Sequence, residues 1–493
     1  GLDFPAVKSS TIRNLMKEQV DPVLWSLSRD FVGDTAETAS LLWPESEGGD
    51  DPARETPSVA QVVDLLSGLT RATAPQEVPK LLDRLNSSER YALIKLATGG
   101  MRIGVSARLA KTAFAQAFEV SVEDVEEYWH ALDAPYPELF AWGADGAEPP
   151  DVSNRPLFRP FMLAHPLEET QVDLADYAAE WKWDGIRVQL VRVGDETRLY
   201  SRSGDDISAT FPELLDVLPV DAVLDGELLV RGATPNQNQG GEAGGAASFN
   251  ALQQRLGRKK VSKKMLAEAP AFVRLYDALI IEGGDLRERP WSKRRSALEA
   301  LMPKLPTSHF DLSQLVEARD FEHLAQIREG ARDDAIEGLM LKRRDSAYIA
   351  GRKVGMWYKW KRDPLLIDCV LMYAQRGSGK RSSFYSDYTF GCWDGDPDKG
   401  AELLPVGKSY SGFTDAELKK LDKLVRQTTL NRFGPVREVE RTLVFEVAFD
   451  SVHSSKRHKS GLAMRFPRIH RIRWDKPVHE ADRIETLRAL VRD

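Results

Sequence analysis

Lys182-Trp183-Asp184-Gly185-Ile186-Arg187 decides how this chain is read. A lysine, a gap, Asp-Gly, a gap and an arginine lie within a stretch that reads as a β-strand. A strand lysine beside an acid, a glycine and an arginine points to a nucleophile rather than a solvated charge. The nucleophile would be an amine attacking the α-phosphate of a nucleotide. The competing reading is a surface strand with a tight turn. Further motifs downstream, in consistent order, favour the first.

The chain has 493 residues, too many for one hydrophobic core, so two to four domains are expected. It is 42% hydrophobic and 29% charged, ordinary for a globular protein. No apolar run approaches the ~20 residues of a membrane span, and no secretory signal opens the sequence. The chain begins at Gly1, so removal of an upstream piece is expected. Two cysteines, Cys369 and Cys392, exclude a disulfide framework and a four-cysteine zinc site; they fit a reducing cytoplasm and read as core residues.

Net charge is −7, which does not by itself indicate a nucleic-acid binder. The positive charge is clustered, however: Arg258-Lys259-Lys260, Lys342-Arg343-Arg344, Arg352-Lys353, Lys359 to Arg362, and Lys456 through Lys476. Acidic residues concentrate elsewhere, as in Glu45 to Glu55. Local basic grooves, more than the sum, govern contact with a phosphate backbone; singly, each run also reads as a solvated face.

Three segments follow one another. Up to about residue 150 the pattern is helical: Asn86 and Glu89 are spaced as a capping box, and Ser121 and Asp124 repeat the pattern. Between them Gly99-Gly100-Met101-Arg102-Ile103-Gly104-Val105-Ser106 breaks two helices. Its amides could hold a phosphate with Arg102 supplying charge, or it is a plain turn. Trp43 to Pro57 reads as a loop and Trp142 to Pro156 as a linker. Strands follow, with a hairpin turn at Gly194-Asp195, runs at 222–230, 272–281, 336–342 and 356–361, and a Gly/Asn/Gln-rich loop at 232–247. Asp363-Pro364 breaks the chain again. Beyond it lie short strands (367–374, 385–393, 442–449) and one helix capped by Thr414 and Glu417, compatible with an OB-type barrel. There is no internal repeat.

Taken together, these motifs resemble those of ATP-dependent DNA ligases, in the covalent nucleotidyltransferase superfamily. Lys182 to Arg187 is similar to that family's first motif, and Ser201-Arg202-Ser203-Gly204 to the next. Asp225-Gly226-Glu227, Leu275-Tyr276-Asp277, Glu337 to Lys342, Trp357 to Lys361, and Arg465 through Lys476 resemble the later ones. The resemblance covers the chain from about 180 to the end. Gly99 to Ser106 is similar to part of the helical DNA-binding domain of larger ligases. The segment 232–256 looks like a bacterial repair branch. The implied architecture is a helical DNA-binding domain (1–152), an adenylation domain of antiparallel sheets with helices (153–362), and an OB-fold domain (363–493).

The resemblance assigns roles that the chemistry explains. Lys182 is the nucleophile. An amine at its usual pKa of ~10.4 is protonated, and neighbouring cations such as Lys359 and Lys361 would lower it. The same two lysines would bind the α-phosphate oxygens. Glu227 and Glu337 are the expected ligands of Mg²⁺, with Mn²⁺ as its substitute. Asp184 either orients Lys182 or contacts the DNA end. Tyr276 would stack on adenine, although a strand tyrosine is more often core. Glu180 would contact adenine as well. Arg187 and Arg202 would hold ribose and the 5′-phosphate side, and Lys342 would join the phosphate-binding set. Arg473, Asp475 and Lys476 would close over ATP and orient pyrophosphate, with Asp363 as pivot. The expected DNA contacts are Arg102, Gly104, Arg258, Lys259, Arg457 and Lys459. The implied substrate is nicked double-stranded DNA, handled by a cytoplasmic, nucleoid-associated bacterial monomer in repair, with repair proteins as further partners and no membrane.

RNA ligases and messenger-capping guanylyltransferases share the same core, and Gly99 to Arg102 argues against them. An NAD⁺-dependent ligase is disfavoured, since two cysteines cannot build that family's zinc module. A non-catalytic nick-binding relative would be expected to lack Lys182, Glu227, Glu337 or Lys359; all are present.

Overall fold

The computed structural model describes residues 4–44, 56–132, 135–152, 154–167, 172–231, 252, 255–256, 261–330, 336–377, 383–455 and 458–491. Of the expected loop at 43–57, residues 45–55 lie outside them, as does the whole expected loop at 232–247. Backbone proximity divides the chain into two compact units: residues 1–104 with 364–493, and Val105–Asp363. No helix among the described residues is long and apolar enough to cross a membrane.

The first part of the chain is helical: α1 (Ser9–Gln19), α2 (Pro22–Val32), α3 (Thr35–Leu42), α4 (Val59–Gly68), α5 (Ala74–Leu82) and α6 (Ser87–Ala97). Local chemistry sets their ends. Asp21 accepts from the Val23 and Leu24 amides with Pro22 at the first helical position, and Gly33 closes α2 at φ +78°. Asn86 and Glu89 form the reciprocal capping box expected of them. These helices bury Phe4, Ile12, Met16, Trp25, Trp43, Leu93 and Ile94 in one core.

Three more helices, α7 (Ala107–Ala117), α8 (Val122–Trp129) and α9 (Pro137–Asp145), belong to the second unit. Ser121 caps α8 by accepting from the Asp124 amide. Glu127 of α8 is held by Arg159 (3.2 Å) and Arg287 (3.4 Å), and Arg155 donates to the Ala131 carbonyl (2.7 Å). These contacts fix the helices to the sheets that follow.

Two mainly antiparallel sheets dominate that unit, each with one parallel pairing. One runs β5 (Glu196–Ser201), β4 (Ile186–Val193), β6 (Ala222–Val230), β7 (Ala271–Ile281), β8 (Gly284–Asp285), with β9 (Phe310–Leu312) also on β7. The other runs β2 (His165–Pro166), β12 (Trp357–Lys361), β10 (Ile336–Arg343), β3 (Tyr177–Trp183). The parallel pairings are β2 on β12 and β9 on β7. A short parallel pair, β1 (Met162–Leu163) with β11 (Gly351–Arg352), lies beside it in sequence. The expected hairpin is present: β4 and β5 turn through Gly194-Asp195, with Gly194 at φ +58°.

In the C-terminal segment β13 (Leu365–Arg376) pairs with β14 (Tyr385–Asp394), with β17 (Val436–Val439) towards one end and with β18 (Val444–Phe449) towards the other. β15 (Glu402–Ser409) extends the sheet on β14, β16 (Thr429–Phe433) on β17, and β21 (Arg468–Arg473) on β18. The helix Asp415–Thr428 carries the Thr414–Glu417 capping box and buries Leu418, Leu421 and Val425, as its spacing predicts. Cys369 and Cys392 are free and buried, their sulfurs 3.6 Å apart. The expected OB-type barrel is present only as a half-barrel. β15 and β21 share no ladder among the described residues. Ser409 Oγ accepts from the Ser411 amide (3.3 Å), which turns the chain at the end of β15. The two edges are joined by one bond, from the Ile469 amide to the Ser411 carbonyl (3.1 Å).

Candidate active site

The hexapeptide is not one strand. Lys182 and Trp183 end β3 in one sheet, Asp184-Gly185 turns, and Ile186-Arg187 begin β4 in the other. Gly185 permits the corner: a Cβ there would meet the Leu228 carbonyl at 2.5 Å. Trp183 anchors it, its indole donating to Ser313 Oγ (3.2 Å) under the Arg274 guanidinium, 4.0 Å from the ring centroid.

Register then assembles the basic residues. Gly338 of β10 lies opposite Lys182 on one side and Lys361 on the other. Two residues along, Met340 lies opposite Glu180 and Lys359. Side chains alternate with period two and cross-strand partners share a face, so Glu180, Lys182, Lys359, Lys361 and Lys342 share one side of this sheet. Gly338 keeps the space between the lysines open. The register is irregular between Ile336 and Gly338, and this bulge carries Glu337 to the same side. Its carboxylate pairs with Lys182 and, at 3.3 Å, with Lys361. Burial pushes the Glu337 carboxyl up. The two ammonium groups, the hydrogen bond from Lys182 and a side-chain contact with Asp184 outweigh this and bring it down to about 2. Lys359 is held below the ordinary lysine value by burial and by the cations around it, Arg352, Lys361, Lys182 and Arg202.

Glu227 of β6 is the second carboxyl. Burial raises it to about 8, against the pull of Lys182 and Arg187. Such a group binds a proton in the folded chain that it releases on unfolding. Stability from Glu227 is therefore fully present below about 4.5 and is lost as pH rises through about 8. Glu227→Gln is expected to stabilise the metal-free, nucleotide-free protein by an amount that grows over that window, reaching a few kcal/mol at its top. Denaturant unfolding at pH 5, 6.5 and 8.5 measures it, and a pH-independent difference would contradict the assignment.

The remaining site residues are partly committed to one another. Arg187 forks onto Asp225 (3.1 and 2.6 Å) and also donates to the Met162 carbonyl (2.7 Å). Tyr348 donates to the same Asp225 at 2.7 Å. Lys342 is 2% exposed, pairs with Glu180 (3.2 Å), and lies over the Tyr276 ring, 4.4 Å from its centroid. It thus sits at the Tyr276–Glu180 end of the face, where burial lowers its pKa. Arg295 approaches Glu180 at 3.8 Å. Arg202 is exposed on the turn after β5, which closes with the Gly204 amide on the Ser201 carbonyl (2.9 Å). Gly204, at φ +83°, has the His130 imidazole where a Cβ would be, and burial and Lys111 depress His130 to about 4.

In the other unit Arg473 forks onto Asp475 (3.1 and 3.0 Å), and Lys476 pairs with Asp368 (2.7 Å). The Arg473 hydrogen bonds hold Asp475 down at about 2. Lys459 is paired with Glu402. Arg102 is exposed beside Gly104 (φ +79°). Arg258, Lys259 and Arg457 lie outside the described residues. Asp225, Tyr348 and Arg295 escaped the sequence reading. Asp225 stood in a quoted motif without a role, while no local pattern marks the other two.

Comparison with known proteins agrees with this geometry. Residues 161–361 match the family model "ATP dependent DNA ligase domain", and 381–476 match "ATP dependent DNA ligase C terminal region". A "Probable DNA ligase" of Koribacter versatilis is 34% identical over 468 residues, covering 89% of this chain and 78% of the relative. One from Anaeromyxobacter sp. is 34% identical over 456 residues, covering 90% and 84%. The solved structure described as "Pmar-Lig_PreS3" superposes with a TM-score of 0.56 at 16% identity, covering 94% of this chain and 95% of that one; it shares the fold. With both ligase regions matched and relatives 34% identical over most of their length, the chain belongs to the ATP-dependent DNA ligase family.

Proposed function

We propose that this chain seals nicks in duplex DNA through an AMP carried on Lys182, and that its role is repair. The observation that carries the reading is the Lys182–Glu337–Lys361 cluster across β3, β10 and β12. Glu337 holds the Lys182 amine in place beside two further cations. In the first step the Lys182 nitrogen attacks the α-phosphorus of ATP. The bond to the β-phosphate oxygen breaks, pyrophosphate leaves, and the amine loses its proton. Lys359 and Lys361 balance the charge that grows on the α-phosphate oxygens. In the second, a 5′-phosphate oxygen takes AMP from Lys182. In the third, the 3′-hydroxyl attacks that phosphate, AMP leaves, and the hydroxyl proton is released.

Tyr276 and Glu180 form the adenine end of the site, with Lys342 and Arg295 holding the Glu180 carboxylate. Arg187, clamped by Asp225, serves the ribose side, and Arg202 the 5′-phosphate side. Glu227 and Glu337 suit Mg²⁺, or Mn²⁺ in its place, because both are carboxylates at the lysine cluster. No group of three or more metal-binding side chains lies among the described residues. Glu227, raised to about 8, is a carboxyl that a divalent cation would ionise. Such an ion would supply charge neutralisation at the phosphates. The helices before the catalytic sheets bind DNA, with Arg102 and Gly104 among the contacts and Arg258, Lys259, Arg457 and Lys459 further along the chain.

Intact mass before and after Mg²⁺-ATP tests the reading. One added AMP, mapped to Lys182 and removed by pyrophosphate or nicked duplex, is expected; a folded protein that gains none refutes it. Arg473, Asp475 and Lys476 act on the pyrophosphate. Asp475→Ala, which frees the Arg473 fork, should slow AMP loading at least tenfold, on the order expected for an electrostatic contact to a leaving group. Sealing of a pre-adenylylated nick should change far less. Equal slowing of both would count against this role.

A further inference from the structure

We infer that Arg108 and Arg352 form a site for a phosphodiester phosphate of the nucleic-acid backbone, beside the lysine cluster and distinct from the reacting phosphate. The inference rests on the ligase reading above.

The two arginines come from distant parts of the sequence. Arg108 is exposed in the first turn of α7, which carries no acidic residue. A cation there faces the positive end of the helix dipole, an arrangement that an anion relieves. The Arg108 guanidinium lies against the backbone of Gly351, where a Cβ would stand 3.1 Å from Nη2 and 3.5 Å from Nη1. Gly351 (φ +83°) thus makes room for the guanidinium, and the next residue is Arg352, also exposed.

Strand pairing ties this pair to the active site. Arg352 lies opposite Leu163, and Lys359 lies opposite Pro166, on the same short edge segment. Three extended residues span roughly 10 Å. Arg352 also acts on Lys359 more strongly than Lys361, Lys182 or Arg202 does. Among the described residues neither Arg108 nor Arg352 has an ion pair or a side-chain hydrogen bond. A guanidinium fork suits phosphate oxygens, and two unpaired forks carried by one stretch of backbone, one held against Gly351 and one on the next residue, suit one polyanion. The α-phosphate of ATP is already served by Lys182, Lys359 and Lys361. Both residues share a compact unit with Lys182, so the contact can persist through AMP transfer and sealing.

The test is equilibrium binding of the full chain to a nicked duplex over a salt series, in parallel with AMP loading from ATP. For Arg108→Ala/Arg352→Ala we expect about tenfold weaker binding near 0.1 M salt. The slope of log affinity against log salt should shrink by about 1, the value of one lost phosphate contact. In Arg108→Ala alone, whose residue is not among the cations acting on Lys359, AMP loading should stay within about twofold. Arg352→Lys should keep the slope. Arg352→Glu, at an exposed position, should weaken binding in the same way if the double variant proves unstable. Unchanged affinity and slope would overturn the inference. So would a matching fall in AMP loading, which would assign the pair to the tail of ATP. Failure of the unaltered chain to bind or seal the nick would instead refute the ligase reading.

Discussion

Lys182→Ala leaves a folded protein that no longer takes AMP from ATP, and sealing that starts from ATP falls by on the order of 10⁴-fold or more. The size of the effect follows from chemistry, since no other group in the cluster can replace the attacking nitrogen. Lys361 pairs with the same Glu337 carboxylate at 3.3 Å but is on the far side of Gly338. The fold survives because Lys182 is only half-buried and Glu337 keeps Lys361 as its counter-charge. Single-turnover incorporation of label from the ATP α-phosphate measures the loss. A pre-adenylylated nick should still be sealed, because the third step does not use the amine. Label retained on the variant, with contaminating ligase excluded, would remove Lys182 from its role.

Arg294→Ala is expected to cost about 3–5 kcal/mol in the Val105–Asp363 unit, the range for breaking a fully buried ion pair. Arg294 and Asp277 are both fully buried. The guanidinium forks onto the carboxylate at 2.8 and 2.9 Å and also donates to the Arg289 (2.7 Å) and Ser346 (2.8 Å) carbonyls. Alanine leaves a buried carboxylate and two carbonyls without these donors. Arg294→Lys should recover only part of the loss, because one ammonium cannot reproduce a planar fork. Arg294→Met with Asp277→Asn should be more stable than Arg294→Ala, since the charge is removed together with its partner. Denaturant midpoints of the four proteins measure these differences. A double variant less stable than Arg294→Ala would refute the pairwise account.

Asp277 illustrates how far the sequence could be read. It was visible as part of an aromatic motif on a strand, but its partner lies on the helix Trp291–Leu301 and carries no local signature. Tyr348, which braces Asp225, is likewise 123 residues from its partner. Lys342 reads in sequence as one more phosphate-binding lysine. In the fold it is buried against Glu180 and the Tyr276 ring, because it stands four residues along the same strand face from Gly338. Arg187 reads as a ligand for an anion, yet its fork is already occupied by Asp225.

The sequence by itself determined the capped helices, the Gly194-Asp195 hairpin and the order of motifs, because each depends on neighbours within a few residues. Only the tertiary structure decided that the hexapeptide turns a corner between two sheets. It alone showed that a bulge brings Glu337 to Lys182, that the C-terminal barrel stays open between β15 and β21, and that the Arg108 guanidinium lies against Gly351. Register, bulges and long-range pairing are set by the packing of segments far apart in the chain, and no local pattern of residues encodes them.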